Sequence, residues 1–440
     1  MGRALLAVSE QNLAESFEVF SRTLDIEWVK AALQATGTAT LRRRKMPAEF
    51  AVWMVIGMAL LRDRSIDEVV HHLRLVLPKA DLPPTISHSS TSEARSRLGC
   101  AALALLFVES AKKWAHNSAD ALRWRGLAVY GVDGTTLSIP DTAQNAQAFG
   151  RPTNASGGGA YPQLRLVVLM VLRSHLLANF AAGPFIMSEP ALANKLWDDL
   201  PDDALVVLDK GHINYGLFWQ IQHRGSCRNW LCAARSNLRW RVIRALGKGD
   251  DLIEVHTTDH QRRADPNLPD LIVARAITYQ RPGFRPRVLL TSLIDADTYP
   301  ANEIIALYHE RWELELGFDE LKTHTLERTE TLRSKTPERI CQELWGLAIA
   351  YNLVRLEMLH VAERLKLPPS RISYRHSLML VRSFLLSAWL ASPGVLPARL
   401  EALHNDIALL VLPPRRLRKF PRAVRVKNTH YPKKRPPNDP

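Results

Sequence analysis

Ala301-Asn-Glu-Ile-Ile-Ala-Leu-Tyr308-His-Glu-Arg311-Trp312-Glu-Leu-Glu315-Leu-Gly-Phe-Asp319-Glu-Leu-Lys322 reads as one helix with an unusual charged row. Tyr308, Arg311, Glu315 and Lys322 lie at offsets of three, seven and fourteen. At about 100° per residue these fall within roughly 60° of one another, so one face carries a phenol, a guanidinium, a carboxylate and an ammonium. Arg and Glu four apart are also what an ordinary surface pair looks like. Leu307, Trp312, Leu314, Leu316, Phe318 and Leu321, however, spread apolar surface around much of the helix, which predicts that it is mostly buried. A charged row on a buried helix needs partners or a task. A carboxylate that holds a metal ion, flanked by cations that hold phosphates, suits phosphodiester chemistry.

Two further carboxylates could join Glu315. The run Leu127-Ala-Val-Tyr-Gly-Val-Asp133-Gly-Thr reads as a strand that ends at Asp-Gly and turns. Ala204-Leu-Val-Val-Leu-Asp209-Lys210-Gly reads as a short buried strand ending in the same way. Asp at a strand end often only caps a turn. It also projects where the active sites of open α/β sheets gather. Two such ends upstream of a carboxylate-bearing helix make a constellation of Asp133, Asp209 and Glu315.

With these blocks in view, the chain resembles the DDE transposases of bacterial insertion sequences, of the IS4 family. The third block of that family is Tyr, two residues, Arg, three residues, Glu, six residues, Lys, and Tyr308, Arg311, Glu315 and Lys322 match it without departure. Asp133-Gly-Thr and Val-Val-Leu-Asp209-Lys210-Gly match the first and second blocks, and 332–338 and 350–355 add weaker matches. The likeness runs from about residue 40 to about residue 365.

The resemblance implies an RNase H-like α/β core, a mixed sheet with flanking helices, interrupted by a β-rich insertion. It implies cut-and-paste transposition: binding of terminal inverted repeats, DNA hydrolysis, possible hairpin formation and strand transfer. Asp133, Asp209 and Glu315 would bind two Mg²⁺ ions, replaceable by Mn²⁺, about 3.5–4 Å apart. Arg311 and Lys322 would clamp phosphates, with Tyr308, Trp312 and Lys210 also facing DNA. Asp319, four residues beyond Glu315, is an alternative third ligand. Relatives that form hairpins carry Trp on the strand entering Leu-Leu-Thr-Ser, associated with a flipped base; here Arg287 precedes Val288-Leu-Leu-Thr-Ser. Arg can stack on a base less broadly than Trp, and Trp230 or Trp240 could substitute. An RNase H-like nuclease without strand transfer, and a catalytically silent domesticated DNA-binding protein, are the alternatives. All three acids stand, which counts against the second.

Charge agrees with a polyanionic partner. The 440 residues hold 58 Lys and Arg against 44 Asp and Glu, a formal +14. The cations cluster in Arg42-Arg-Arg-Lys45 and in 413–440, where seven prolines preclude a continuous helix. The tail reads as an extended phosphate-seeking arm or a solubilising one. The resemblance narrows that partner to double-stranded DNA at transposon ends and at the target, with a homodimer in the synaptic complex. Cys100, Cys227, Cys232 and Cys341 have no CxxC or zinc spacing, which argues against a disulfide scaffold or zinc site and fits a reducing cytoplasm; the resemblance implies that this cytoplasm is bacterial and that the protein works beside the nucleoid. Met1 to Glu10 is too mixed for a signal peptide. Residues 164–185 contain Arg165, Arg173, His175 and Asn179 and read as two strands, not a membrane helix. Ser156-Gly-Gly-Gly lacks GxGxxG and any following Lys-Ser/Thr, so no nucleotide cofactor is expected.

Five segments follow. Residues 1–125 form a helical N-terminal domain, 126–225 the first part of the core, 226–299 the β-rich insertion, 300–365 the second part of the core, and 366–440 a helical region with the basic tail. Within the first, 46–61 reads as a buried helix and Ser65 opens another with a capping box. A turn-rich 83–91 followed by a helix at 92–98 allows a helix-turn-helix with Arg95 and Arg97 on DNA, or an ordinary helical bundle.

Overall fold

The computed structural model describes residues 24–39, 46–76, 86–152, 161–281, 283–327, 332–388 and 393–414. The signal-peptide assessment of residues 1–10, the basic run 42–45, the Gly-rich loop 156–159 and the tail beyond 414 fall outside the described residues. In chain order the helices are α1 (Ile26–Ala35), α2 (Ala48–Leu60), α3 (Ile66–His72), α4 (His88–Leu98), α5 (Ala101–Ala111), α6 (Asn117–Ala121), α7 (Ala143–Phe149), α8 (Glu189–Ala193), α9 (Tyr215–His223), α10 (Asp259–Ala264), α11 (Ala301–His309), α12 (Trp312–Asp319), α13 (Pro337–Leu365), α14 (Tyr374–Ala388) and α15 (Leu396–Ala408). The strands are β1 (Ala128–Ser138), β2 (Gln163–Val171), β3 (Leu177–Pro184), β4 (Ala204–Leu208), β5 (Asn229–Ala233), β6 (Arg241–Gly247), β7 (Asp250–His256), β8 (Leu271–Tyr279) and β9 (Arg287–Thr291).

The strands make one sheet in the order β3-β2-β1-β4-β5-β9-β8-β7-β6. β1 and β2 pair antiparallel, as do β2 and β3, whereas β1–β4 and β4–β5 are parallel. That five-strand arrangement is the RNase H-like core. β2 and β3 occupy the apolar tract 164–185 and are joined at Arg173-Ser-His175, as its embedded polar residues predicted. No described helix is long and apolar enough to cross a membrane. The β-rich part attaches edge to edge: β9 pairs antiparallel with β5, and β8, β7 and β6 continue outward.

Three sequence expectations change. β1 does not end at Asp133; it runs on to Ser138, with Asp133 paired to Val168 of β2. On its other side β4 stops at Leu208, opposite Val132, so Asp133 is the first β1 residue past the end of that neighbour. Second, β5 lies in the stretch read as insertion but runs parallel to β4 in the core. Its Trp230 is fully buried and stacks on Phe218 at 4.0 Å, so Trp230 cannot receive a base. Third, the long helix of 301–322 is divided. α11 ends at His309, Arg311 caps α12, and the chain widens into a π-helical turn over Glu320–Thr325. The break coincides with Glu310, whose two carboxylate oxygens accept from Arg173 Nε and Nη2 at 2.9 Å each.

The N-terminal helices are built onto the core. α2 is buried at every residue from Phe50 to Leu60, as its all-round apolarity requires. It lies against α13 where Gly346 allows close approach: a Cβ there would meet Val55 Cγ1 at 2.6 Å and its carbonyl oxygen at 2.9 Å. The Ser65 capping box forms as read. α4 starts at His88 under a Ser87 cap, earlier than its turn-rich sequence suggested. Arg95 needs correction as a DNA contact. It is only 4% exposed, and its guanidinium donates to Gln342 Oε1, Ser334 Oγ and the Arg339 carbonyl. Arg97 stays exposed, near Glu93 at 3.8 Å. A single disulfide, Cys100–Cys341, also ties the start of α5 to α13. It is no scaffold, but the sequence offered no sign of it: its partners stand 241 residues apart.

Candidate active site

Glycines let the Glu315 segment approach the sheet. A Cβ on Gly131 of β1 would stand 2.5 Å from Leu172 Cδ2 and 2.8 Å from Leu314 Cδ1, and one on Gly317 would stand 2.7 Å from Met170 Sδ. α12 therefore lies directly on β1 and β2, with Leu314 and Gly317 buried. At the following π turn, Lys322 Nζ lies 3.4 Å from Thr135 Oγ1, beside the Asp-Gly-Thr block.

Asp133 and Asp209 emerge from adjacent parallel strands. Asp133 Oδ1 accepts from the Gly134 N–H at 2.8 Å, and Asp209 Oδ1 from the Lys210 N–H at 2.6 Å. Lys210 is exposed, and the carbonyls of Lys210 and Gly211 accept from Arg235 at 2.9 and 2.8 Å. Arg311 pairs with one of the three acids, donating to Glu315 Oε1 at 2.9 Å, and acts on the other two, Asp133 and Asp209, through its charge. Burial pushes the Asp133 carboxyl up to about 6; Glu189 and Asp209 push the same way, and the Gly134 N–H and Arg311 oppose them. Burial would lower the Arg311 guanidinium, but the Glu315 hydrogen bond and the nearby anions outweigh it and raise it. Tyr308 is 5% exposed, and burial raises its hydroxyl far above the usual phenol range.

The three acids do not close into one ligand cluster. Among the described residues, the group at this edge whose ligand atoms all lie within 4.8 Å of one another is Asp133, Glu189 and His212. Glu315 sits on Arg311 instead. Asp319 is exposed and lies 3.5 Å from His324 Nε2. Sequence reasoning missed Glu189 and His212. Glu189 opens a five-residue helix after a Met-Ser turn, and His212 follows Asp209 by three, a spacing that flags nothing by itself. It also missed the support beneath the π turn. Glu320 there accepts from Tyr351 Oη at 2.8 Å and pairs with Arg355 and His175. Burial would raise the Glu320 carboxyl; Arg355 and His175 overcome it and hold it at about 2. Asn352 clips the β3 end, exchanging hydrogen bonds with the Leu177 backbone. These contacts explain the Tyr-Asn-Leu-Val-Arg run at 351–355.

Beside the acids lies a cavity of about 250 Å³ between the β-rich part and the helices. Arg281, Arg285 and Arg287 line one side and Tyr308, Arg311 and Trp312 the other. Trp312 is 46% exposed. Tyr279 Oη and His309 Nε2, also in the lining, are buried and have no hydrogen-bond partner. Trp240 is half-buried against the core cluster.

Residues 14–108 match the family model of the insertion element 4 transposase N-terminal region, and residues 124–353 that of the transposase DDE domain. The chain is 38% identical over 435 residues to the transposase InsG for insertion sequence element IS4 of Escherichia coli (strain K12), covering 98% of this chain and 97% of that one. It is 30% identical over 229 residues to the putative transposase InsZ of the same strain, covering 52% of this chain and 75% of the relative. Among solved structures, a piggyBac transposase synaptic complex with hairpin DNA aligns over 91% of this chain and 86% of that one, at a TM-score of 0.43 and 12% identity.

Proposed function

Since this chain belongs to the IS4 family of DDE transposases, we propose that it binds the terminal inverted repeats of its own element and moves it by cut-and-paste phosphoryl transfer at Asp133, Asp209 and Glu315. The observation that carries this reading is the position of Arg311. It holds Glu315, interacts electrostatically with Asp133 and Asp209, and lines the basic cavity, which supports a path for a strand seated on the arginines of the β-rich part toward the carboxylates. The donor set is hard oxygen, which suits Mg²⁺ or Mn²⁺. Such ions supply activation of the attacking oxygen and stabilisation of the leaving one. The chain's own side chains do the rest. Arg311 and Lys322 neutralise phosphates on either side of the cut, Tyr308 offers its hydroxyl to a neighbouring phosphate, and Lys210 and Trp312 border the same path. Glu315 must leave Arg311 to reach the aspartates, and a phosphate arriving on Arg311 is a natural competitor for that guanidinium.

The cavity favours the hairpin route. Its size, aromatic wall and unpartnered Tyr279 and His309 atoms suit an unstacked base, with Arg287 in the place of the stacking Trp. Two copies of the chain would hold the paired ends. The test is cleavage of DNA carrying the flanks of the encoding gene, with Mg²⁺, resolved on denaturing gels. Cuts at both flanks and joined products support the proposal. Cutting without joined products favours a nuclease, and binding without cutting favours a domesticated DNA-binding protein.

A further inference from the structure

The edge that bears Asp133 holds two groups that the three-carboxylate centre does not use. His212 is only 1% exposed, yet neither ring nitrogen has a hydrogen-bond partner. A buried, unsatisfied polar atom is costly, so two on one ring need an explanation. The nearby groups that could meet them are acids. Glu189 Oε2 lies 4.0 Å from His212 Nε2, beyond hydrogen-bond reach, and Asp133 completes a triangle within 4.8 Å.

The backbone around this triangle is shaped for it. The Asp209-capped turn Lys210–His212 carries the imidazole inward as the chain leaves β4. Glu189 folds over Gly134, where a Cβ would stand 2.5 Å from its Cδ and 2.6 Å from its Cγ. The Gly of the Asp-Gly-Thr block, read from sequence as a turn residue, is thus the clearance for Glu189 within a continuous strand. Arg165 fixes the other Glu189 oxygen at 2.7 Å, leaving Oε2 toward His212. Asp209 adds a further negative charge, and it and Glu189 both act on Asp133. Two carboxylates and an imidazole within 4.8 Å of one another, with the charge of Asp209 acting on Asp133 and with Arg165 and Arg311 as the neighbouring cations, form an arrangement that a divalent cation would satisfy.

We propose that Glu189 and His212 are metal ligands, which with Asp133 form a mixed carboxylate–imidazole site for a divalent transition-metal ion. Imidazole nitrogen selects for Mn²⁺ or Zn²⁺ over Mg²⁺, which prefers oxygen alone and keeps its waters. One side of the centre then differs chemically from the side completed by Asp209 and Glu315. The inference rests on the reading of Asp133 as a metal ligand.

The probe is Mn²⁺ added to the metal-free full-length chain, without DNA, followed by electron spin resonance. Bound Mn²⁺ should show ¹⁴N modulation in spin-echo decays of the wild type. His212→Gln should lose that modulation and bind Mn²⁺ at least ~10-fold more weakly, with Mg²⁺ affinity changed much less. Glu189→Gln, which leaves the ring in place, should weaken Mn²⁺ by a similar factor and guards against misfolding of the histidine variant. Mn²⁺ that is lost in Asp133→Asn but gives no ¹⁴N modulation in the wild type overturns the proposal and leaves the carboxylate centre standing. Mn²⁺ binding unaffected by Asp133→Asn, Asp209→Asn and Glu315→Gln contradicts the carboxylate centre itself, and the proposal fails with it.

Discussion

Replacing Asp133 with Asn should stabilise the metal-free protein at neutral pH. The Asp133 carboxyl is raised from an ordinary 3.8 to about 6, chiefly by burial. A carboxyl whose folded value lies above its unfolded one binds more protons in the fold, so stability falls as pH rises from about 4 to about 6. A displacement of that size corresponds to roughly 3 kcal/mol, and partial solvent access reduces this to about 2. Asn keeps the acceptor for the Gly134 N–H and removes the charge. The assay is urea unfolding in EDTA at pH 4 and pH 7.5. The variant should be about 2 kcal/mol more stable at pH 7.5, nearly equal at pH 4, and should lose the stabilisation that Mg²⁺ gives the wild type. A variant less stable than the wild type at pH 7.5 in EDTA would mean that the carboxylate is a structural anchor and not a group held in readiness for a cation.

The other predictions concern the groups that position the site. Glu320 has the opposite sign: its carboxyl is held at about 2 against 4.5. Its contribution of about 3 kcal/mol is therefore present above pH ~4.5 and is lost as pH falls toward 2; Glu320→Gln should cost about 3–5 kcal/mol at pH 7 by stranding Arg355, and flatten that acid limb in pH-dependent unfolding. Gly131→Val should drive Leu314 and Leu172 apart, cost about 1–3 kcal/mol in a melt, and reduce DNA cleavage more than DNA binding. Arg311→Ala and Lys322→Ala should each reduce the slope of log affinity against log salt by about 0.9 in filter binding, whereas Arg97→Ala should show whether α4 touches DNA at all.

The parts of the candidate site that were legible are those whose residues carry chemistry at fixed spacing. Although the helix that was to carry the row is split, Arg311 holds Glu315 and Lys322 reaches Thr135 of the Asp-Gly-Thr block. Asp133 and Asp209 are adjacent because parallel pairing of β1 with β4 puts Val132 beside Leu208. What escaped the sequence is what long-range packing decides. Arg95 looked like a DNA contact because its helix is polar, yet Gln342 and Ser334, some 240 residues away, bury it. Trp230 looked available for a base until β5 joined the core. Glu189 and His212 become neighbours of Asp133 through Gly134 and a 3₁₀ turn, which no periodicity announces.

If Asp133, Asp209 and Glu315 bind the catalytic ions, anomalous diffraction from crystals of the full chain with end DNA and Mn²⁺ should show Mn²⁺ peaks on Asp133 and Asp209, with Glu315 turned from Arg311 onto one of them and a DNA phosphate taking its place on the guanidinium. Mn²⁺ bound in the DNA complex with Glu315 still paired to Arg311 would contradict that assignment.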